Sequence, residues 1–192
     1  IEICEAAFGP CDILIASAGI VEPRAFDAMS ASIFEEQISI NFLGTANAVR
    51  SVYRGMKARR SGRIMMISSG AALVGIFGYT AYCASKSALV GFAEALSAEA
   101  EAFGVRISIC FPPDTLTPQY RREISMRPAE AKILMGSVKP WSAEAVAARI
   151  VRGLEQGKAK IHFGFSLAAL AYFGPLIKPP LMWLISRKTR KI

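Results

Sequence analysis

Short uninterrupted apolar runs alternate with helical stretches of ten residues or more, and this alternation constrains the fold of the 192-residue chain more than any other feature. The runs are Asp12-Ile-Leu-Ile-Ala16, Ile64-Met-Met-Ile67 and Val105-Arg-Ile-Ser-Ile-Cys-Phe111, with Lys160-Ile-His-Phe163 as a last strand. A strand that is apolar at nearly every position is covered on both faces, which predicts an α/β protein with a doubly wound parallel sheet. Between the runs, Ser30 opens a helix reaching about Lys57. A second helix runs from Tyr82 to Phe103, with Leu89, Phe92, Leu96 and Phe103 on one face and Gly104 as its C-cap. Ser142 caps a third over 143–155, and residues 120–135 read as a mobile polar helix pair or lid. The first three runs end in the turns Ser17-Ala-Gly19, Ser68-Ser69 and Pro112-Pro113. Ligands of such sheets bind beyond the carboxyl ends of the strands, so these turns line one candidate site.

Charge separates the chain into a body and a tail. The formal net charge is +8, but no acidic residue follows Glu155, and seven of the 23 basic residues do. The first 155 residues are therefore nearly balanced, which argues against a nucleic-acid-binding face. The tail is apolar as well as basic: Phe163 to Ile177 carries no charge, and Leu181-Met-Trp-Leu-Ile185 precedes a basic end. Trp183 before Arg187 and Lys188 fits an anchor at a lipid headgroup layer. Gly174, Pro175, Pro179 and Pro180 interrupt the run, which predicts a segment that dips into one leaflet rather than one that crosses. An arm covering a partner subunit is the other reading. The four cysteines show no CxxC pair and no histidine at ligand spacing, so reduced thiols in a cytosolic chain and no metal site are expected.

Tyr82-Cys-Ala-Ser-Lys86 carries the clearest chemistry. Residues four apart on a helix are neighbours, and an ammonium beside a phenol favours the phenolate, so the Tyr82 pKa is expected to fall from about 10 toward neutrality. Ser69 lies thirteen residues earlier, at the end of the preceding strand, where its hydroxyl can meet the oxygen that Tyr82 protonates. His162 and Trp141 read as packing residues, and Arg59-Arg60 as a solvated helix end. Asp114 reads either as a turn cap or as a contact for a substrate amino group.

In order and spacing these pieces resemble the short-chain dehydrogenase/reductase family. The matching residues are Ile15-Ala-Ser-Ala-Gly19, Asn41 with Gly44 in the long helix, Ser68-Ser69, Tyr82 to Lys86, and Pro112-Pro-Asp-Thr-Leu-Thr117. Phe111 to Pro118, Gly75-Ile-Phe-Gly-Tyr-Thr-Ala-Tyr82 and the apolar arm resemble the branch that reduces 3-ketodihydrosphingosine at membranes. The resemblance implies four catalytic residues: Tyr82 as general acid, Lys86 beside it, Ser69 polarising a ketone, and Asn41 holding a water that links Lys86 to solvent. For cofactor binding it implies Ala18, Gly19, Lys86, Pro112, Thr115 and Thr117. NADPH is the implied cofactor, with NADH left open because the selecting residue is not in the chain. The implied substrate is a long-chain lipid ketone, with a steroid or fatty acyl compound as alternative, and the implied assembly is a homo-oligomer paired through the helices at 30–57 and 82–103. A non-catalytic scaffold binding membrane or a partner is the reading from a different class.

Some positions depart from the family pattern. Ala16 and Ser17 stand where asparagines are usual, and Pro113 replaces a glycine. The glycine-rich loop that holds a pyrophosphate at a helix N-terminus is missing, so about two βα units are expected upstream of Ile1, which no leader pattern accompanies. The expected organisation is an N-terminally incomplete Rossmann-like domain over 1–165 and a membrane-associating arm over 166–192, in a chain held peripherally at a cytoplasmic membrane surface.

Overall fold

Val105–Phe111 (β3) is the strand around which the rest is arranged, with every residue but Arg106 buried. The structure is a computed structural model that describes residues 1–136 and 139–189. On one side β3 pairs in parallel with Gly62–Ile67 (β2), Gly62 opposite Val105 and Ile67 opposite Cys110. β2 pairs in turn with Ile13–Ala16 (β1), and on its other side β3 pairs with Lys160–His162, so all four strands are parallel, as expected. Ile13 and Ile15 of β1 are about half exposed at the sheet edge.

Alternation along the strands builds two cores. Ile64 and Met66 of β2, with Ile107, Ile109 and Phe111 of β3, face one layer; Met65 and Cys110 face the other. The first layer is covered by Val49, Val52 and Met56 and by Leu89, Ala93 and Leu96, the second by Val146, Ile150 and Leu154. Each such aliphatic side chain stabilises the fold by about 1.5–3 kcal/mol relative to exposure.

The helices, in order, are Glu2–Phe8 (α1), Ala31–Ile38 (α2), Thr45–Ala58 (α3), Thr80–Ala100 (α4), Pro118–Met126 (α5), Ala129–Met135 (α6), Ala143–Glu155 (α7) and Phe165–Thr189 (α8). Ser30 and Ser142 cap as expected, accepting from Ile33 N at 3.3 Å and Ala145 N at 3.1 Å. Gly104 ends the helix before β3 at φ +66, and a Cβ there would sit 2.7 Å from the Arg60 carbonyl oxygen.

Several expectations are corrected. The single helix over 30–57 is two helices joined by a π turn over Ser39–Gly44. The helix pair expected over 120–135 is present as α5 and α6, but not all of its polar side chains face solvent: Glu123 and Arg127 are buried. Thr115–Leu116 (β4) and Trp141–Ser142 (β5) form a second small parallel sheet, and Lys160–His162 (β6) ends one residue before Phe163. The tail, α8, spans 25 residues as two helical pieces that meet at a non-helical Phe173, directly before Gly174 and Pro175, where an interruption is expected; Pro179 and Pro180, by contrast, lie within continuous helix. It is long and apolar enough to cross a membrane, with mean hydropathy 1.3 and 6% of that stretch buried. Its first turns are docked, since Leu167, Leu170 and Ala171 pack on the core, while Phe165, Tyr172, Leu176 and Trp183 are exposed. Arg187 lies over the Trp183 ring at 4.4 Å. The basic residues Arg190 and Lys191 lie outside the described residues.

Candidate active site

α4 begins at Thr80, so Tyr82 falls in its first turn and Lys86 one turn later on the same face. The Lys86 ammonium is buried, lies 5.8 Å from the Tyr82 ring centroid and donates to the carbonyl oxygen of Ile67 at 2.9 Å. Two residues beyond Ile67, the Ser69 hydroxyl lies near enough to the Tyr82 phenol to favour its ionised form. Ser69 Oγ also accepts from Ala71 N at 3.2 Å, which starts a short 3-10 turn over Gly70–Ala72. Ser68 Oγ donates to the Lys86 carbonyl at 2.9 Å, so Lys86 is tied to the end of β2 through both its side chain and its backbone.

Asn41 sits in the π turn with its amide fully engaged. Its Oδ1 accepts from Ile20 N at 2.7 Å, and its Nδ2 donates to Ile20 O at 2.9 Å and to Ser85 Oγ at 3.0 Å. Ser85 Oγ in turn donates to the Tyr82 carbonyl at 2.8 Å. A π turn re-aims the side chains it carries and is common at functional sites. Here it brings Asn41 under the turn after β1. A Cβ on Gly19 would lie 3.2 Å from both Asn41 Oδ1 and Lys86 Nζ, so the glycine is what lets these two groups converge on that turn.

The structure therefore gathers Gly19, Asn41, Ser69, Tyr82 and Lys86. Pro112 joins them through its carbonyl, which accepts from Gly70 N at 3.0 Å. Ala18 is exposed beside Gly19. The other two expected cofactor residues are placed by local structure: Thr115 Oγ1 donates to Pro113 O at 2.8 Å, and Thr117 Oγ1 caps α5 by accepting from Tyr120 N at 3.1 Å.

The family model described as short chain dehydrogenase matches residues 1–127. The chain belongs to that family. It is 38% identical over 164 residues to a 3-ketodihydrosphingosine reductase of Bos taurus, covering 85% of this chain and 49% of that protein. A 3-dehydrosphinganine reductase of Danio rerio is 36% identical over 88% of this chain and 52% of its own length. A 3-ketodihydrosphingosine reductase of Dictyostelium discoideum is 34% identical, with 89% and 52% covered. The chain thus spans about half the length of the curated relatives it matches. Among solved structures, a short-chain dehydrogenase from Streptomyces avermitilis superposes with TM-score 0.76 at 23% identity, over 98% of this chain and 74% of that one, and so shares the fold.

In this chain the phenol is not made acidic by its lysine. Burial pushes Tyr82 up to about 12, the nearby Ser69 hydroxyl pulls it down, and the charges of Glu123, Cys83 and Asp114 raise it further. Lys86 is drawn down to about 8, first by burial. Burial is the main reason the expected fall in the Tyr82 pKa does not occur, and the short Lys86 contact goes to a carbonyl and not to the phenol.

Four polar residues have structural roles that spacing along the sequence does not assign. Ser68 and Ser85 are buried braces, and their neighbours Ser69 and Lys86 were the only clue to them. Glu123 and Arg127 are an i, i+4 ion pair inside the helix pair, 2.7 Å apart. Arg127 also holds the Asp114 carboxylate at 2.8 Å, a partner that neither reading of Asp114 from the sequence includes. Trp141 and His162 do pack, Trp141 edge-on to Phe163 and His162 stacked on Phe111 at 5.0 Å.

Proposed function

We propose that this chain carries the catalytic centre of an NAD(P)H-dependent reductase acting on the ketone of a long-chain lipid, 3-ketodihydrosphingosine being reduced to dihydrosphingosine. The observation that carries the reading is the convergence of Ser69, Tyr82 and Lys86 at the strand ends in a chain whose relatives bear that enzyme's name.

The residues present fit a nicotinamide cofactor. Gly19 keeps its turn open beside Lys86, and Ile67 O occupies one of the three hydrogens of that ammonium. Gly19, Lys86, Pro112 and Thr117 would hold the cofactor, Ala18 and Thr115 flanking them. When bound, it supplies the hydride that reduces the carbonyl carbon. The protein's part is the proton. Tyr82, held protonated across the physiological range, gives its phenolic proton to the ketone oxygen, and Ser69 donates a hydrogen bond to the same oxygen. A phenol this reluctant to ionise suits reduction better than alcohol oxidation, where it would have to begin as the base. Lys86 returns positive charge beside the phenolate that remains, and the Asn41–Ser85 brace holds the first turn of α4 in place.

The apolar helix supports the lipid part of the reading. Leu167 of α8 comes to 3.0 Å of a Cβ built on Gly70, the residue after Ser69, so the docked end of α8 adjoins the site while its exposed part is free to lie in one leaflet. A ketone with a long alkyl chain would then reach Tyr82 without crossing water. Pairing of two copies belongs to the same reading: α4 exposes the small residues Ala84, Ser87, Gly91 and Ala95 at helical spacing.

The test uses the full-length natural protein with 3-ketodihydrosphingosine in mixed micelles, following oxidation of NADPH and NADH in parallel. Ketone-dependent oxidation that Tyr82→Phe removes is expected. Ketone-independent or absent oxidation would sink the reading.

A further inference from the structure

A buried ion network lies beside the proposed proton donor, and none of its groups gives or takes the transferred proton. Arg127 joins α5 to α6, and its side chain is 3% exposed. One arm of its guanidinium meets Asp114 Oδ2 at 2.8 Å, in the turn after β3, and the other meets Glu123 Oε1 at 2.7 Å, on α5. The same Glu123 oxygen accepts the hydroxyl of Tyr79 at 2.6 Å. Tyr79 is the N-cap of α4, three residues before Tyr82, and the two rings meet edge-on at 6.3 Å. The helix pair is thus connected to both segments that frame the Tyr82 hydroxyl.

Packing repeats the connection. Pro128 follows Arg127 and sits against Gly78, where a Cβ would come within 2.7 Å of it. Ala131 of α6 is buried with Val21 and Tyr79, and Met135 packs on that cluster together with Tyr82 and Cys83. Asp114 and Arg127 also border a cavity of about 790 Å³ whose apolar lining is Tyr120, Ile124, Met135 and Pro140. That lining comes mostly from the helix pair, so the cavity keeps its shape only while the pair is held.

We propose that Arg127 is a positioning residue, a clasp that fixes α5–α6 beside Tyr79 and Tyr82 and so sets the affinity for the ketone. Its planar fork serves two carboxylates at once, which a lysine cannot do. Without the guanidinium two carboxylates are left close together and largely buried, and the helix pair must lift to hydrate them.

The affinity part rests on the reductase reading; the clasp itself does not. The test compares Arg127→Met, Arg127→Lys and Arg127→Met with Asp114→Asn and Glu123→Gln in the full-length protein. Hydrogen exchange over 118–135 is expected to quicken on the order of tenfold in Arg127→Met, with 62–67 and 105–111 as protected as before. Arg127→Lys should fall between, and the triple variant should recover most of the protection. The ketone KM should rise about tenfold in Arg127→Met while kcat changes little. Unchanged exchange over 118–135 in Arg127→Met would overturn the clasp. So would a loss of protection spread evenly over the sheet in both single variants, which would mark a general stability effect. A wild-type protein that reduces no ketone would sink the reductase reading and leave the exchange result to decide the clasp.

Discussion

The Lys86 ammonium donates to the carbonyl oxygen of Ile67 at 2.9 Å, and this bond locks the first turns of α4 onto the end of β2. It places a buried cation directly behind the serine and tyrosine that would meet a ketone. The cation costs stability, because burial has drawn its pKa from 10.5 down to about 8.

The sign of that cost can be tested. Between pH about 8 and about 10.5 the unfolded chain holds the Lys86 proton and the folded protein does not, so this group makes the fold more stable as pH rises through that window. Below pH about 8 the penalty is fully present, at about 3 kcal/mol. Lys86→Met removes it and loses the Ile67 bond, about 1 kcal/mol, for a net gain of about 2 kcal/mol at pH 7. Denaturant melts at pH 7 and 9.5 should show the variant more stable at the first and the gap narrowed at the second, while reductase activity is lost at both.

Tyr82→Phe removes the phenolic proton and keeps the ring against Tyr79. Activity should drop by about 10²–10⁴-fold with the thermal midpoint nearly unchanged. Because Tyr82 is pushed up to about 12, the wild-type rate of reduction should show no loss of its acid group between pH 6 and about 10. A rate that falls with a midpoint near pH 7 would contradict that assignment.

Gly19→Ala puts a methyl 3.2 Å from both Asn41 Oδ1 and Lys86 Nζ. Overpacking there should cost about 1–3 kcal/mol and displace the ammonium, so kcat should fall more than tenfold while the sheet stays intact by circular dichroism. Asn41→Ala acts by another route. It leaves both backbone groups of Ile20 and the Ser85 hydroxyl without their partner, for a loss of about 2–4 kcal/mol in a denaturant melt.

Cutting after Gly174 keeps Leu167, Leu170 and Ala171 on the core and removes Trp183 and the basic end. The shortened protein should fold and no longer sediment with vesicles containing anionic lipid. A cut after Phe165 should also destabilise it, because it strips those three side chains off the sheet. Equal vesicle binding by full and shortened chains would refute the membrane role of α8.

Much of the fold was legible in the sequence because its strongest signals are local. Val105–Phe111 is apolar at consecutive positions, and only a strand covered on both faces has that pattern. Ser30, Ser142 and Gly104 announce their helix ends through the capping bonds and the left-handed turn they make. Tyr82, Lys86 and Ser69 were legible as a group because helix periodicity and a strand end suffice to bring them together. Helix continuity through Pro179 and Pro180 was not legible, since interruption is read from single residues and the helix is held by its neighbours along the turn.

What only the tertiary structure decided concerns charges and contacts between distant segments. The acidity of Tyr82 depends on burial and on Glu123 and Asp114, which lie more than thirty residues away and approach it only when the β3 turn and α5 pack beside α4. Arg127 looks like a surface residue in a polar stretch, and its inward turn follows from the two carboxylates that the β3 turn and α5 hold out to it. Spacing along a chain determines which side chains share an element. The dielectric around them, and the partner each one finds, are set by how the elements pack.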